Sequence, residues 1–367
     1  MRLEDVPFSE TMAPEPEAPP LRHLLWRGDA GRQARRYHVF DRIAGARLVA
    51  LDALFRRLPV DVAPAFAERV ASAVRPLQRR RVYARRIAHN LSVLAPEGPR
   101  EGRALQTAVA NWWQNAGRTV AEYACVERYR KAGRVTVEGL DALRDMGLAD
   151  GQFIYVSVHL GSFELLGEVV SRGFQRPCVG IWEPETNRFK NRLLSRLRKR
   201  YGFHVFPPGR RSARHIHRCV VQGGCDILCY VDEVRDRQIH LPLFGRPLPD
   251  RGNAVNAVKL ALRSGAPLIP IYMLRDGKGG FRVRLHPPLP LDREAPTGEA
   301  IDKALGEIDR FFDPIVRAHL DQWWMLSEVR LPDFVAKPAW TGQRRLNRAA
   351  APGTASGRGT APGSPRG

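Results

Sequence analysis

A histidine and a glutamate five residues apart are the side chains best suited to acid–base chemistry in this chain. His159 follows a short β-branched apolar run, and Glu164 lies where an apolar helical pattern begins. Gly161 and Ser162 between them predict a turn, with Ser162 as the N-cap of the helix. An imidazole and a carboxylate that flank one tight turn can hydrogen-bond as a general base and its orienting group. The structural alternative is a core histidine satisfied by a nearby carboxylate.

The elements that must position this pair alternate between strands and helices. We predict strands over residues 135–137, 153–158, 178–182, 205–206, 226–231, 267–274 and 281–285. We predict helices over residues 140–146, 165–172, 187–201, 213–222, 254–264 and 298–320. This alternation indicates an α/β fold, with a mixed sheet flanked by helices. Ligands of such folds bind beyond strand ends. His159 and Asp232 both stand at a strand end, so we expect them to share one crevice.

The first third of the chain lacks this alternation of strands and helices. From composition and periodicity we divide the whole chain into four regions. Residues 1–36 lack periodicity and predict a flexible arm. Residues 37–130 predict a helical, basic region whose first amphipathic helix, 37–58, either lies in a bilayer interface or packs on the domain with a solvated face. Residues 131–335 form the α/β domain. Residues 336–367 are rich in Ala, Gly, Pro, Ser and Arg and predict a disordered tail.

The net charge indicates an acidic partner. The chain has 59 Lys and Arg residues against 38 Asp and Glu residues, which gives a formal charge of +21. Nucleic acid, an anionic membrane surface and an acidic protein or substrate all fit that balance. The arginine-rich stretch 79–86 contains a single aromatic residue, Tyr83, which is too little for a base-stacking platform. No window reaches about 18 uncharged apolar residues, so we predict no classical membrane span.

Other chemistries lack their signatures. The five cysteines form no CxxC pair and are expected to be core thiols in a reducing compartment. The histidines 204, 215 and 217 do not form a metal-binding pattern. No glycine-rich phosphate loop is present, and Ser162 lacks the following glycine of a nucleophile elbow. We therefore expect neither a metal nor a cofactor.

An ordered set of motifs extends from about Tyr37 to Arg330. Its members are the segment 79–91, His159, Glu164, Trp182, Glu183, Pro184, Asn187, Arg196, Arg198, Gly202, Asp232, Glu233, the loop 244–247, the segment 265–267, Pro270 and Arg275. The set resembles the late (secondary) lipid A biosynthesis acyltransferases, within the HxxxxD/E superfamily of glycerolipid and lysophospholipid acyltransferases. Four features depart from that family, and the first is an N-terminal helix more charged than its usual hydrophobic anchor. Glu233 replaces a glutamine, Glu183 replaces an arginine, and Trp323–Trp324 stands where an aromatic–tryptophan segment leads to His-Arg.

The resemblance implies an O-acyltransferase. Such an enzyme moves a fatty acyl group from an acyl carrier protein or coenzyme A thioester to a hydroxyl of a lipid A precursor or related membrane glycolipid. His159 is then the catalytic base and Glu164 its orienting carboxylate. The expected substrate-binding residues are Gly161, through backbone N–H groups of its turn, together with Arg196, Arg198 and Asp232.

The resemblance and the charge together imply partners and a location. We expect an acyl carrier protein or acyl-CoA donor, an anionic membrane lipid acceptor and a membrane surface, and no nucleic acid. The expected site is the cytoplasmic face of the inner membrane, with the protein peripheral or monotopic. A lysophospholipid or aminolipid acceptor is the alternative within the same chemistry. A basic nucleic-acid-binding protein without catalysis is the alternative from another class.

Overall fold

A central sheet of seven strands carries the α/β part of the chain. The computed structural model describes residues 3–97, 101–148, 151–235, 237–277, 279–332 and 334, and the predicted tail lies outside them. The strands are β1 (Val135–Glu138), β2 (Ile154–Ser157), β3 (Cys178–Ile181), β4 (His204–Phe206), β5 (Asp226–Tyr230), β6 (Val234–Arg235), β7 (Gln238–Ile239), β8 (Leu268–Arg275) and β9 (Phe281–Leu285). The order in the large sheet is β1-β9-β8-β2-β5-β3-β4, and β6 and β7 form a separate hairpin.

The large sheet is mixed, as predicted. Strands β8, β2, β5, β3 and β4 run parallel, whereas β9 is antiparallel to β8 and parallel to β1. All residues of β2 and β8 are buried except the last of β8, because helices cover both faces of the sheet. The continuous apolar runs of these strands are therefore the pattern of central strands rather than of half-exposed ones.

Twelve helices surround or precede this sheet in the described part of the chain. They are α1 (Gly28–Arg35), α2 (Asp41–Arg57), α3 (Val62–Gln78), α4 (Val82–Leu94), α5 (Gly102–Glu122), α6 (Val126–Lys131), α7 (Leu140–Asp145), α8 (Phe163–Glu168), α9 (Arg188–Arg200), α10 (Arg210–Val221), α11 (Asn253–Ser264) and α12 (Thr297–Ala318). Two apolar clusters lie on opposite faces of the sheet. One joins it to α10, α11 and α12, and the other joins it to α8 and α9.

The arm predicted over residues 1–36 is more ordered in the structure than its sequence suggests. Its described residues form short 3₁₀-helices and α1, and a π-helical turn, Arg36–Phe40, joins α1 to α2. Leu3 and Val6 are buried in the larger apolar cluster. Glu15 accepts hydrogen bonds of 2.5 and 2.6 Å from Arg192 on α9. Sequence composition missed this packing because the partners lie about 200 residues away.

Helices α4 and α5 hold a segment near the end of the domain. This segment, residues 320–329, follows α12 and contains two 3₁₀ turns. Asn90 of α4 is fully buried and donates to the carbonyl oxygens of Leu326 and Val329 at 2.8 and 2.9 Å. The indole nitrogen of Trp112 on α5 donates to the Trp323 carbonyl at 3.0 Å. The helical region thus fixes a segment that, as described below, reaches the site.

No helix in the described ranges is both long and apolar enough to cross a membrane.

Candidate active site

Strand register brings His159 and Asp232 together. Strands β2 and β5 are parallel neighbours in which Ser157 is opposite Tyr230. His159 and Asp232 each come two residues after that pair, so the two side chains emerge at the same level beyond the carboxyl edge of the sheet. The imidazole Nδ1 lies 2.7 Å from Asp232 Oδ1, and the His159 backbone N–H donates to Oδ2 at 2.8 Å.

Asp232 is completely buried, and its carboxylate accepts three hydrogen bonds. The third, at 2.8 Å, comes from the indole nitrogen of Trp323 to Oδ2. A carboxylate surrounded by N–H donors is the acceptor in each of these hydrogen bonds. Asp232 therefore accepts from Nδ1–H of His159, which places the lone pair of the neutral imidazole on Nε2.

Aromatic rings fix the plane of the imidazole. The His159 ring stacks on Tyr230 with centroids 4.2 Å apart and meets the edge of Phe163 at 4.7 Å. The Tyr230 hydroxyl donates to the Phe163 carbonyl at 2.7 Å, which ties the two rings to each other. The Trp324 backbone N–H donates to the His159 carbonyl at 2.9 Å. The ring thus has little freedom to turn away from Asp232.

Glu164 does not take the role predicted from its spacing. Its carboxylate forms a two-pronged ion pair with Arg198 of α9 and accepts a 2.9 Å hydrogen bond from the Tyr201 hydroxyl. The hydrogen bond to the imidazole belongs to Asp232 instead. The prediction failed because Glu164 sits in the first turn of α8, where its side chain packs against α9, and spacing along the chain does not define that direction.

The Glu164 pair is a buried electrostatic unit. Burial opposes the charge of Arg198, but the Glu164 carboxylate outweighs it and the pKa of the guanidinium is raised. Burial, together with the same carboxylate, raises the pKa of Tyr201 far above its ordinary value, so this hydroxyl stays protonated and donates. The Arg198 guanidinium also lies over the Trp182 ring, 4.8 Å from its centroid.

A cavity of about 480 Å³ opens at this end of the sheet. Its lining includes His159, Glu164 and Arg198. Among the described residues, none hydrogen-bonds Nε2 of His159, which is therefore the ring nitrogen available to a ligand. Arg196, the other predicted arginine, is exposed on α9 and does not line the cavity. Asp232 lies behind His159 and contacts the cavity only through it.

The turn between His159 and Glu164 is tightly built. Gly161 has a φ of 58°, and a Cβ there would lie 2.6 Å from the Met273 carbonyl oxygen, so glycine is required. Its N–H donates to the Gln322 carbonyl at 3.1 Å, so this predicted oxyanion donor is already occupied. Ser162 occupies the N-cap position as predicted, but its side chain makes no capping hydrogen bond.

Metal binding finds no support in the part of the chain described. No cluster of three or more His, Cys, Asp or Glu side chains there is arranged to hold a metal ion. The five cysteines are all free and buried, as core thiols are. Glu233, the departure noted beside Asp232, accepts from the Asn253 backbone N–H at 2.6 Å at the start of α11. The site is therefore built from an imidazole, carboxylates, a guanidinium and aromatic rings.

Several functional neighbours of His159 were missed in the sequence. Tyr230 and Tyr201 gave no signal because single tyrosines in a strand and a helix end are ordinary core residues. Trp323 was noticed only as part of an aromatic segment, and its hydrogen bond to Asp232 spans 91 residues. The sequence signal that was available, a strand end with an acidic residue, did identify Asp232.

Comparison with known proteins agrees with the resemblance drawn from the motifs. A family model described as bacterial lipid A biosynthesis acyltransferase matches residues 38–329, most of the chain. The family assignment made from the ordered motifs is thereby confirmed. A search of curated proteins gave no match.

Proposed function

The chain belongs to the bacterial lipid A biosynthesis acyltransferase family, and on that premise we propose that it transfers a fatty acyl group from a thioester donor to a hydroxyl of a lipid A precursor or related membrane glycolipid. Acyl transfer follows from the family. The donor, the hydroxyl acceptor and the roles of individual residues are our proposal. The observation that carries it is the hydrogen bond between His159 and Asp232 at the edge of a cavity.

In the proposed mechanism His159 acts as the general base. Its Nε2 takes the proton of the acceptor hydroxyl as the oxygen attacks the thioester carbonyl, and the thiolate then leaves with a proton returned by the imidazolium. Asp232 holds Nδ1–H and stabilises the imidazolium during the step. A positioned general base accelerates a reaction by about 10²–10⁴, so the cavity must contribute the rest through orientation of the two substrates.

Glu164 and Arg198 have a different role in this proposal. The ion pair anchors α9 to the turn that carries His159. It therefore positions the catalytic base but takes no part in the proton transfer itself. Arg198 Nη1 is buried and has no hydrogen-bond partner among the described residues. Because Arg198 also lines the cavity, it is the candidate contact for a phosphate or carboxylate of the acceptor.

The donor is proposed to be an acyl carrier protein or coenzyme A thioester. Helix α9 lines the cavity through Lys190, Leu194 and Arg198, and α10 begins two residues after Pro208, which also lines it. Exposed basic residues on these two helices include Arg196, Arg200, Arg210, Arg211 and Arg214. An acidic carrier protein and the phosphates of coenzyme A are both attracted to such a surface. Arg196 therefore keeps a proposed role in substrate binding, as a docking residue outside the cavity.

We also propose that the protein binds the cytoplasmic face of the inner membrane as a peripheral or monotopic protein. Helix α2 and the π turn before it expose large apolar side chains, among them Phe40, Ile43, Val49 and Leu54. Helix α3 adds others, including Leu77 at 79% exposure. Apolar surface of this extent beside exposed arginines is typical of interfacial helices.

The test is a product assay with defined substrates. Purified protein is incubated with an acyl carrier protein thioester or with acyl-CoA, and separately with a lipid A precursor, a lysophospholipid and an aminolipid. Mass spectrometry identifies which acceptor gains an acyl group. We expect the lipid A precursor to be acylated and His159→Ala to lose about 10²–10⁴ in rate.

Two results would contradict the proposal. Acylation of the lysophospholipid or aminolipid alone would keep the chemistry and replace the acceptor. Turnover by His159→Ala equal to that of the unmodified protein would remove His159 as the base. Circular dichroism checks that the variant is folded, because His159→Ala also removes the hydrogen bond to Asp232 and the stacking on Tyr230.

A further inference from the structure

A second concave site lies on the other side of α9 from the active-site cavity. It is a groove of about 780 Å³ between α2 and α9. None of its lining residues lines the active-site cavity, since α9 presents Arg188, Phe189 and Arg192 to the groove but Lys190, Leu194 and Arg198 to the cavity. The acyl-transfer mechanism makes no use of this groove.

The groove is basic. Three arginines line it, Arg42, Arg188 and Arg192, and no acidic residue does. Arg192 is paired with Glu15. Arg42 is exposed on α2 and forms no ion pair with any residue the structure describes. The lining of the groove therefore contains no acidic side chain to balance its arginines, and Arg42 is left without an ion-pair partner among the described residues.

Arg188 is the second observation that points to an anion. Its side chain is 5% exposed, and its guanidinium lies over the Tyr37 ring, 3.7 Å from the centroid. Nη2 donates to the Tyr37 carbonyl at 3.1 Å. Nη1 makes no hydrogen bond within the described chain, and Asp41 Oδ2 is 3.7 Å from it. A buried guanidinium nitrogen without a hydrogen bond is costly, and an acceptor oxygen in the groove would relieve that cost.

The floor of the groove is apolar and made of small residues. On α2 it consists of Gly45, Ala46, Val49, Ala50 and Ala53. A Cβ on Gly45 would lie 2.5 Å from Cγ of Phe189, so the glycine lets the two helices approach closely. The result is a shallow apolar channel along α2 with arginines at one end. Such a channel is complementary to an acyl chain that carries an anionic head group.

The groove also lies where a lipid would be found. Helix α2 provides one wall, and the same helix exposes Ile43 and Leu54. If α2 rests in the membrane interface, as proposed above, a lipid of the same leaflet needs little displacement to enter. Free phosphate would satisfy the arginines but leave the apolar floor in water.

We propose that the α2–α9 groove binds an anionic glycerophospholipid of the membrane, with its phosphate at Arg42 and Arg188 and one acyl chain along Ala46, Ala50 and Ala53. This inference rests on the proposed membrane association and is independent of acyl transfer. The lipid is a bound component and not a substrate. It would seat α2 on α9, the helix whose Arg198 holds the catalytic turn.

The test uses the full chain and a water-soluble short-chain phosphatidylglycerol below its micelle concentration. Isothermal titration should show saturable binding. Arg42→Gln should weaken it by about tenfold or more, since a hydrogen bond to a charged group is removed. Ala50→Trp, which fills the channel, should weaken it similarly. The matched phosphatidylcholine and inorganic phosphate should bind much more weakly than phosphatidylglycerol.

Matched variants on the same helix separate a site from general attraction. Arg47 and Ala44 are exposed on α2 but do not line the groove. Arg47→Gln and Ala44→Trp should therefore leave the affinity unchanged. Equal losses in Arg42→Gln and Arg47→Gln would overturn the site in favour of diffuse electrostatics. Inorganic phosphate binding as tightly as the lipid would overturn the lipid assignment.

The two proposals fail separately. His159→Ala should bind the short-chain lipid normally, because its side chain lies in the other cavity. Arg42→Gln should acylate a detergent-dispersed acceptor at the normal rate. Saturable lipid binding by unmodified protein that acylates no acceptor would leave the groove standing and overturn the proposed function, and acyl transfer by protein that binds no lipid would do the reverse.

Discussion

Two buried carboxylates lie near the turn that follows His159, and they differ in the side chains that they bind. Asp232 is shared by an imidazole and two N–H donors, whereas Glu164 is held by a guanidinium and a phenol. The first arrangement leaves a ring nitrogen with a free lone pair facing a cavity. The second ends in an ion pair with no site for a mobile proton. The same kind of side chain thus holds an imidazole in one place and a guanidinium in the other.

The contrast also teaches how the family motif is read. A histidine followed five residues later by an acidic residue suggests a catalytic pair. In this chain the acidic member, Glu164, is ion-paired with Arg198 of α9 instead. The partner of the histidine comes from the next strand of the sheet. Four substitutions test this division, in order of expected size.

Asp232→Asn should give the largest loss in rate. An asparagine can present its amide to Nδ1 and favour the wrong tautomer, so we expect kcat to fall by about 10²–10⁴. Asp226→Asn is the control, because Asp226 is a fully buried aspartate at the other end of the same strand, paired with Arg176. It should cost stability but leave the kcat of folded protein intact. Equal kcat losses in the two variants would show that Asp232 acts only through folding.

Glu164→Gln should cost stability more than rate. Removing one partner of a buried ion pair leaves an uncompensated charge, and we expect a loss of about 3–5 kcal/mol in the free energy of unfolding. Adding Arg198→Met should restore much of it. Urea denaturation measures both. The exposed pair of Glu299 with Lys303 is the comparison, where Glu299→Gln should leave the free energy of unfolding nearly unchanged. A Glu164→Gln variant of normal stability but with no activity would return Glu164 to the proton-transfer role.

Trp323→Phe should have an intermediate effect on rate. It keeps an aromatic ring in the core but removes the indole N–H that Asp232 accepts. One hydrogen bond to a charged group is worth about 1.5–3 kcal/mol, so kcat should fall by about tenfold or more. A lower stability with an unchanged kcat would assign Trp323 to packing alone.

His286→Phe should have the smallest effect and concerns stability against pH. His286 has no carboxylate partner among the residues that the structure describes, and burial together with Arg284 lowers its pKa below the ordinary 6.5. The neutral ring is therefore favoured in the folded state, so its contribution is present above pH 6.5 and is lost as pH falls through the lowered value. The stability difference between the unmodified protein and His286→Phe, measured by urea denaturation, should thus move against the unmodified protein on acidification. A difference independent of pH would refute the assignment.

Much of the fold could be read from the sequence because local patterns carry it. The apolar runs that became β2, β5 and β8 are buried on both faces, and the helices after them begin and end within a few residues of the predicted limits. The packing of Leu3 and Val6 could not be read from composition, because their apolar partners lie far along the chain.

What the sequence by itself determined is the class of fold, the family, and the two strand ends that carry His159 and Asp232. Those follow from short apolar runs, from the helical period of 3.6 residues and from motif order, all of which are read directly along the chain. Only the tertiary structure decided which carboxylate holds the imidazole, because that depends on strand register and on the side from which α9 packs. It also decided that Trp323, held by Asn90 and Trp112 through its segment, completes the site. Contacts over such separations arise only when the chain is folded.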